Sequence, residues 1–365
     1  MSYIKKYLNE IRVNPGRGFG TLAKYATHLI EDTRAELGVL LGISTPDNIS
    51  FTYNATHALN IALQGSLSAG DHVIISNFEH NSVIRPLSHL KKTRHIEFDI
   101  LSADTQGFFD LKGLESLINP KTKLIVFSHA SNVLGVITPI KQIGELAKKH
   151  GILFCVDCAQ TAGIVDIEAE KDGIDILAGT CHKGLLGPSG VGFLYVRDQK
   201  NVASLFQGGG GYNSASDLHP ELGPHKYEAG TINYLGIAGL RGSLEEVVKN
   251  KKIYHEHEKE LLADLLSRIS EMPFIKLYGT QLLQYKVPLV SFNVHNFSAQ
   301  EVCSYLEDSH GIITRGGLHC SPLIHKAMNT AAYGSVRISL GPYNTLKDIK
   351  AFIKALYAFA TLNKL

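Results

Sequence analysis

Three features of the sequence predict an α/β architecture, with a large unit built on a mostly parallel sheet and a smaller α+β portion after it. Short apolar runs alternate with amphipathic stretches through the middle of the chain, as strands buried between crossover helices do. From about residue 236 the texture changes to long amphipathic helices separated by isolated strands. The length of 365 residues, 44% of them hydrophobic and 19% charged, suffices for one large domain and a smaller companion. The boundary is read near residue 245: a large unit over 20–245 and a small one over 246–365, with residues 1–19 packing on the latter.

Strands are expected at 49–52, 72–76, 124–128, 152–156, 174–178 and 191–196. After the strand at 124–128, Thr138 stands as an N-cap with Pro139 at the first helical position. Ile140, Ile143, Leu146 and Ala147 share a face, and Gly151 supplies the stop. In the second portion Leu261, Leu262, Leu265, Leu266 and Ile269 make one stripe, and a strand follows at 289–294. Ser298 and Glu301 form a capping-box pair heading a helix over 299–310. Strands at 312–314 and 336–340 and a helix after Thr345 complete the unit. No internal repeat is visible, which excludes a solenoid.

Lysine and arginine number 36 against 34 aspartate and glutamate, a net charge of +2. That balance argues against a broad nucleic-acid surface or a polybasic membrane face. Five cysteines, an odd number without paired motifs, argue against a disulfide framework. Cys155 and Cys158 make a lone C-x-x-C with no second pair nearby, so no metal is expected. The charged N-terminus lacks a signal-peptide core and no segment is apolar enough to span a bilayer, which makes a reducing cytoplasm the expected compartment.

The sharpest local feature is the loop from Thr180 to Gly190, which holds His182 and Lys183 among glycines between two strands. A lysine fixed there can be desolvated, lose its proton and condense with an aldehyde; the plain alternative is a solvated loop lysine. Asp157, at the end of an earlier strand, suits a pyridoxal phosphate site, where a carboxylate keeps the ring nitrogen protonated. Asn54, Ala55 and Thr56 open a helix after a strand and could cradle a phosphate, although Asn54 by itself reads first as a simple helix cap. Thr180 and His182 could add donors. His80 follows another strand, where an imidazole could stack on a cofactor ring and exchange protons near neutrality. Asn132 could bond the cofactor's phenolic oxygen. Arg337, within an apolar strand, needs a partner: a substrate carboxylate or a salt bridge. Cys320 lies in a Gly-rich, Pro-bounded loop near Arg315 and His319, a setting that favours thiolate, whereas Cys155 and Cys181 adjoin apolar strands.

Taken together, these segments resemble the class V aminotransferase group of fold type I pyridoxal phosphate enzymes. Within it they look most like the second-group cysteine desulfurases and selenocysteine lyases. The likeness runs from Val13-Asn14-Pro15-Gly16-Arg17-Gly18 to the Arg337 strand and Tyr343-Asn344-Thr345. It implies that Lys183 carries the cofactor as a Schiff base, Asp157 pairs the ring nitrogen, and Gln160 and Asn132 contact the phenolic-oxygen side. It also implies that His80 stacks on the ring and that Ala55, Thr56, Thr180 and His182 hold the phosphate. Thr231 matches a position that reaches the neighbouring subunit's phosphate, so a homodimer is implied. Cys320 falls at the persulfide-forming position, with Arg337, Arg315 and Asn132 on the substrate. The implied reaction takes sulfur from L-cysteine onto Cys320 and leaves L-alanine, with a sulfur-acceptor protein as a partner. Selenocysteine lysis, another class V reaction, or cofactor binding with weak turnover remain alternatives. Family members usually begin with a Leu-Asp-Asn-Ala-Ala-Thr-Thr-type segment that lines the substrate side; this chain is expected to start roughly where that segment ends, and Gly20 stands where a histidine is usual.

Overall fold

In the computed structural model, which describes residues 2–13, 15, 20–212 and 215–365, two sheets organise the chain. Asn14, Gly16, Arg17 and Gly18, part of the family resemblance, lie outside the described residues. The large sheet contains β1 (Ile49–Thr52), β2 (His72–Ser76), β3 (Glu97–Leu101), β4 (Thr122–Ser128), β5 (Leu153–Asp157), β6 (Ile176–Thr180) and β7 (Gly192–Val196), in the order β1-β7-β6-β5-β4-β2-β3. Strands β2 to β6 pair in parallel, while β7 is antiparallel to both β6 and β1. The carboxyl ends of β1, β2, β4, β5 and β6 therefore share one edge, where ligands bind in open α/β sheets.

Alternation along each strand splits the core in two. Ile74, Ile125 and Phe127 point into one apolar cluster with Leu37 and Phe154, whereas Val73, Ile75, Leu124 and Val126 point into another with Leu59 and Leu63. Burial on both faces explains the near-continuous apolar composition of these strands.

The second sheet is antiparallel: β8 (Ile275–Leu277), β9 (Leu289–Val294), β10 (Arg315–Gly317) and β11 (Ser335–Ser339), in the order β10-β11-β9-β8. The 37-residue helix Tyr234–Ser270 joins the two units, running unbroken through residue 245. Ile237, Leu240 and Leu244 pack in the first core, and Leu261, Leu265 and Ile269 pack in the second.

The Ser298 capping box forms as expected: the Ser298 amide donates to Glu301 at 2.8 Å and Ser298 Oγ accepts from the Glu301 amide at 3.2 Å. Two local expectations are corrected. Thr138 does not cap, because its hydroxyl donates to the Ser128 carbonyl at 2.7 Å, and Pro139 takes the N-cap of Ile140–Lys149. The strand expected at 312–314 begins instead at Arg315. Gly316 lets the chain pass under the neighbouring helix, since a Cβ there would meet the Ala299 carbonyl oxygen at 3.0 Å.

Two buried carboxyl groups stitch the large unit together. Glu228 accepts from Arg34 at 2.8 and 3.2 Å and from the Phe51 amide at 2.6 Å, while Arg34 also donates to the Ile49 carbonyl. Helix Thr21–Leu40, β1 and the segment leading to Thr231 thereby meet at one charge pair. Glu79, just beyond β2, accepts from the Ser128 amide at 2.8 Å and its hydroxyl at 3.0 Å, and from Ser76 Oγ. Complete burial pushes the Glu79 carboxyl up to about 8, against the pull of those donors.

Replacing Glu228 with glutamine leaves the Arg34 guanidinium buried without its counter-charge and is expected to cost about 3 kcal/mol. Denaturant titration checks this, and the double variant Arg34→Met/Glu228→Leu is expected to recover much of the loss. For Glu79 the folded protein holds a proton that the unfolded chain has already released, so stability falls as pH rises. The expected slope is about 1.4 kcal/mol per pH unit between the ordinary carboxyl value and pH 8. Melting Glu79→Gln beside the parent across pH 5–8 should remove that contribution.

Candidate active site

The shared strand edge encloses a cavity of about 260 Å³ lined by Ala55, Thr56, His80, Asn132, Asp157, Gln160, Thr180, His182, Lys183 and Arg315. With Asn54, which also lines it, eleven of the residues singled out in the sequence therefore meet in one place. Cys320, Arg337 and Thr231 are not on its wall. A larger cleft of about 650 Å³ between the helix Tyr234–Ser270 and the 283–288 segment contains none of them.

Asp157 ends β5 in register with Ser128 and Ala178. Its Oδ1 accepts from the Ala159 amide at 2.9 Å, and Oδ2 has no hydrogen-bond partner among the described residues. Burial raises the Asp157 pKa, while that amide and the Lys183 cation pull it down. Lys183 stands open to the cavity and makes no hydrogen bond among the described residues. Surrounding protein lowers its pKa by desolvation, Arg337 and Arg315 add to the effect, and Asp157 opposes it. The Lys183 turn is set by close backbone packing: a Cβ on Gly163 would lie 2.5 Å from the Gly184 carbonyl oxygen, and one on Gly184 would lie 2.6 Å from that of Ala162. Only glycine at both positions allows the turn after β5 to touch the lysine loop.

Asn54 proves to be a cap, accepting the His57 amide at 3.0 Å. The first amides of the 12-residue helix Ala55–Ser66, those of Ala55 and Thr56, remain at the cavity wall for an anion. Thr56 Oγ1 is engaged with Ser82 Oγ at 2.7 Å, and Thr180 Oγ1 with His182 Nδ1 at 2.9 Å. Ser82 also donates its amide to His80 Nδ1 at 3.0 Å, which puts the neutral ring's proton on Nε2. Burial, then Lys183, Arg315 and Arg85, lower His80 to about 4. It is thus uncharged at neutral pH, and the expectation that it titrates near neutrality is corrected.

Cys320 is half-exposed on an adjoining outer cleft that shares Thr56, His80 and Ser82 with the cavity. Arg315 reaches both compartments, lining the cavity and donating to Cys320 Sγ at 3.3 Å. Arg337 lies opposite Arg315 in the β10–β11 register. It donates to the Asn132 carbonyl at 2.9 Å, has no carboxylate partner among the described residues, and keeps a buried Nε–H without an acceptor. Arg337 thus forms no salt bridge among the described residues. Burial first, then Arg315, lowers Arg337 to about 10. Cys155, Cys158 and Cys181 are buried, with their thiols pushed up by desolvation. Thr231 is exposed and does not line the cavity.

Sequence reading missed Ser82, which joins Thr56 to His80, and Ser321, whose Oγ donates to Asn132 Oδ1 at 2.6 Å. The signals were present: a serine just inside a helix start, and a serine directly before Pro322.

The model for class V aminotransferases matches residues 1–352. A probable cysteine desulfurase of Methanothermobacter thermautotrophicus is 32% identical over 363 residues, covering 97% of this chain and 90% of that protein. A cysteine desulfurase of Escherichia coli O9:H4 is 31% identical over 356 residues, covering 93% of this chain and 84% of that protein. The solved apo cysteine desulfurase of Thermococcus onnurineus NA1 superposes with a TM-score of 0.91 at 29% identity, covering 99% of this chain and 90% of that one. The neighbours are fold type I proteins, and the family implies pyridoxal phosphate. The residues present fit that group: a buried carboxyl with one oxygen unsatisfied, a desolvated lysine, and free amides at a helix head share one wall. The chain belongs to the class V aminotransferase family.

Proposed function

We propose that this protein is a pyridoxal-phosphate-dependent cysteine desulfurase that moves the sulfur of L-cysteine onto Cys320 and releases L-alanine. The observation that carries the reading is Arg315, which lines the Lys183–Asp157 cavity and donates to Cys320 Sγ at 3.3 Å. Pyridoxal phosphate, when bound, supplies an aldehyde that condenses with amines and a ring that accepts electrons.

The chain's own groups divide the remaining work. The Ala55 and Thr56 amides, with Thr180 and His182, would bind the phosphate, and Asp157 Oδ2 would pair the ring nitrogen. Gln160 and Asn132 would meet the phenolic oxygen, and His80 would contact the ring as an uncharged imidazole. Arg337, which has no carboxylate partner among the described residues, receives the substrate carboxylate together with Arg315 beside it. Lys183, whose pKa burial lowers, takes the α-proton at Nζ. The Cys320 thiolate, steadied by Arg315, attacks the substrate sulfur: the new S–S bond forms as the C–S bond breaks, and its electrons remain with the carbon fragment. Protonation of that fragment gives alanine.

Exposed Thr231 supports a homodimer in which it serves the neighbouring phosphate, and exposed Phe206, Tyr212, Leu218 and Leu222 close by in sequence offer apolar surface for the contact. A sulfur-acceptor protein would meet Cys320 from the outer cleft. No helix among the described residues is long and apolar enough to cross a membrane, and the five cysteines are free thiols, which suits a reducing cytoplasm.

In protein whose absorbance shows bound cofactor, alanine release from cysteine is expected to fall by about a thousandfold in Lys183→Ala and about a hundredfold in Cys320→Ala. Parent-level alanine release by Cys320→Ala would overturn the persulfide route. Because His80 stays neutral above about 4, His80→Gln should lower the rate without changing the shape of its pH profile between pH 6 and 8. Steady-state assays across that window read the shape directly.

A further inference from the structure

The backbone that presents Cys320 is unusual. His319 and Cys320 have φ of +50° and +62°, two consecutive side-chain-bearing residues in the left-handed region. L residues adopt that conformation seldom and hold it only where surrounding contacts fix it. The carbonyls on either side of the Cys320 amide-to-carbonyl unit are both held from the large unit. The His319 carbonyl accepts from Asn132 Nδ2 at 2.6 Å, and the Cys320 carbonyl accepts from the Asn81 amide at 2.7 Å. Ser321 Oγ closes the bracket by donating to Asn132 Oδ1 at 2.6 Å.

The orientation of the Asn132 amide is fixed by these partners. A carbonyl oxygen can only accept, so the amide nitrogen must face His319, and Oδ1 is left for the serine hydroxyl. One N–H of Asn132 is spent on His319. The other remains on a side chain that lines the same cavity as Lys183, Asp157 and Gln160. The Asn132 main chain is anchored in turn by Arg337 at 2.9 Å.

We propose that the Asn132 side chain is a positioning residue for Cys320, holding the 318–321 turn in its left-handed form so that Sγ meets Arg315. Through its second N–H, the same amide links filling of the cavity to the order of that turn. This deepens the desulfurase reading and rests on it for the cavity's occupant; the bracket itself needs no turnover. Asn81 acts through its main chain, so Asn132 is the member of the bracket that substitution can remove.

The test uses the full chain with and without added pyridoxal phosphate. Iodoacetamide labelling of Cys320 at one fixed pH, followed by peptide mass spectrometry, is compared for the parent, Asn132→Ala, Asn132→Asp and Ser321→Ala, alongside amide exchange of 318–321. The bracket predicts at least roughly tenfold faster exchange in Asn132→Ala, with roughly threefold faster labelling as the turn opens and Sγ leaves Arg315. Ser321→Ala should show a smaller change of the same sign. Asn132→Asp, which keeps an acceptor for Ser321 but has no N–H for His319, should behave like the alanine variant. Added pyridoxal phosphate should slow exchange at 318–321 in the parent and not in Asn132→Ala. Parent-like exchange and labelling rate in Asn132→Ala would overturn the bracket, and equal slowing by pyridoxal phosphate in both proteins would overturn the link. If Asn132→Ala fails to fold, Ser321→Ala decides, and a parent-like labelling rate there counts against the proposal. Intact labelling behaviour beside parent-level alanine release in Cys320→Ala would instead discard the desulfurase reading alone.

Discussion

A carboxyl group and an amine must share a water-poor cavity, and much of the large unit follows from that requirement. Asp157 is held at the end of β5 between two neighbouring strand ends, where burial opposes its ionisation and Lys183 favours it. Neither group could be held there by flexible surface loops, because desolvating a charge costs more than a mobile segment can repay. The parallel strands supply rigid ends at fixed spacing. The glycine contacts between the 161–164 turn and the lysine loop set the approach without intervening side chains. Glu79 and Ser128 lock the adjacent strand ends from behind.

How much of this was legible in the sequence depended on whether one residue type could do the job alone. Strands such as β2 and β4 were legible because burial on both faces demands unbroken apolar runs. The Ser298 box was legible because capping is local chemistry. By contrast β3 is mostly exposed, and its residues Glu97 to Leu101 give no apolar run; its place is dictated by pairing with β2. The shift of the strand at 312–314 to Arg315 depends on clearance beneath a helix that is distant in the chain, which no window of sequence reports.

The site divides the same way. Lys183, Asp157 and His80 were recognisable because strand-end chemistry leaves a signature. The second duty of Asn132, bracketing the Cys320 turn, was not, since it needs a partner 187 residues away. His80 shows the complementary case: its position could be read, but its charge could not, because burial and three cations from separate segments decide it. Electrostatics sums over the fold, and sequence does not.

The helix Tyr234–Ser270 has a mechanical consequence. At 37 residues it is a rod of about 55 Å whose first turns are seated in one core and whose last turns are seated in the other. A tilt of one degree at one end would carry the other through about 1 Å, a displacement large enough to spoil the alignment of reacting groups. The two sheets therefore hold a common lever from opposite ends. The reach from β10 to the large cavity is governed by the stiffness of that lever as much as by any contact between Arg315 and Cys320.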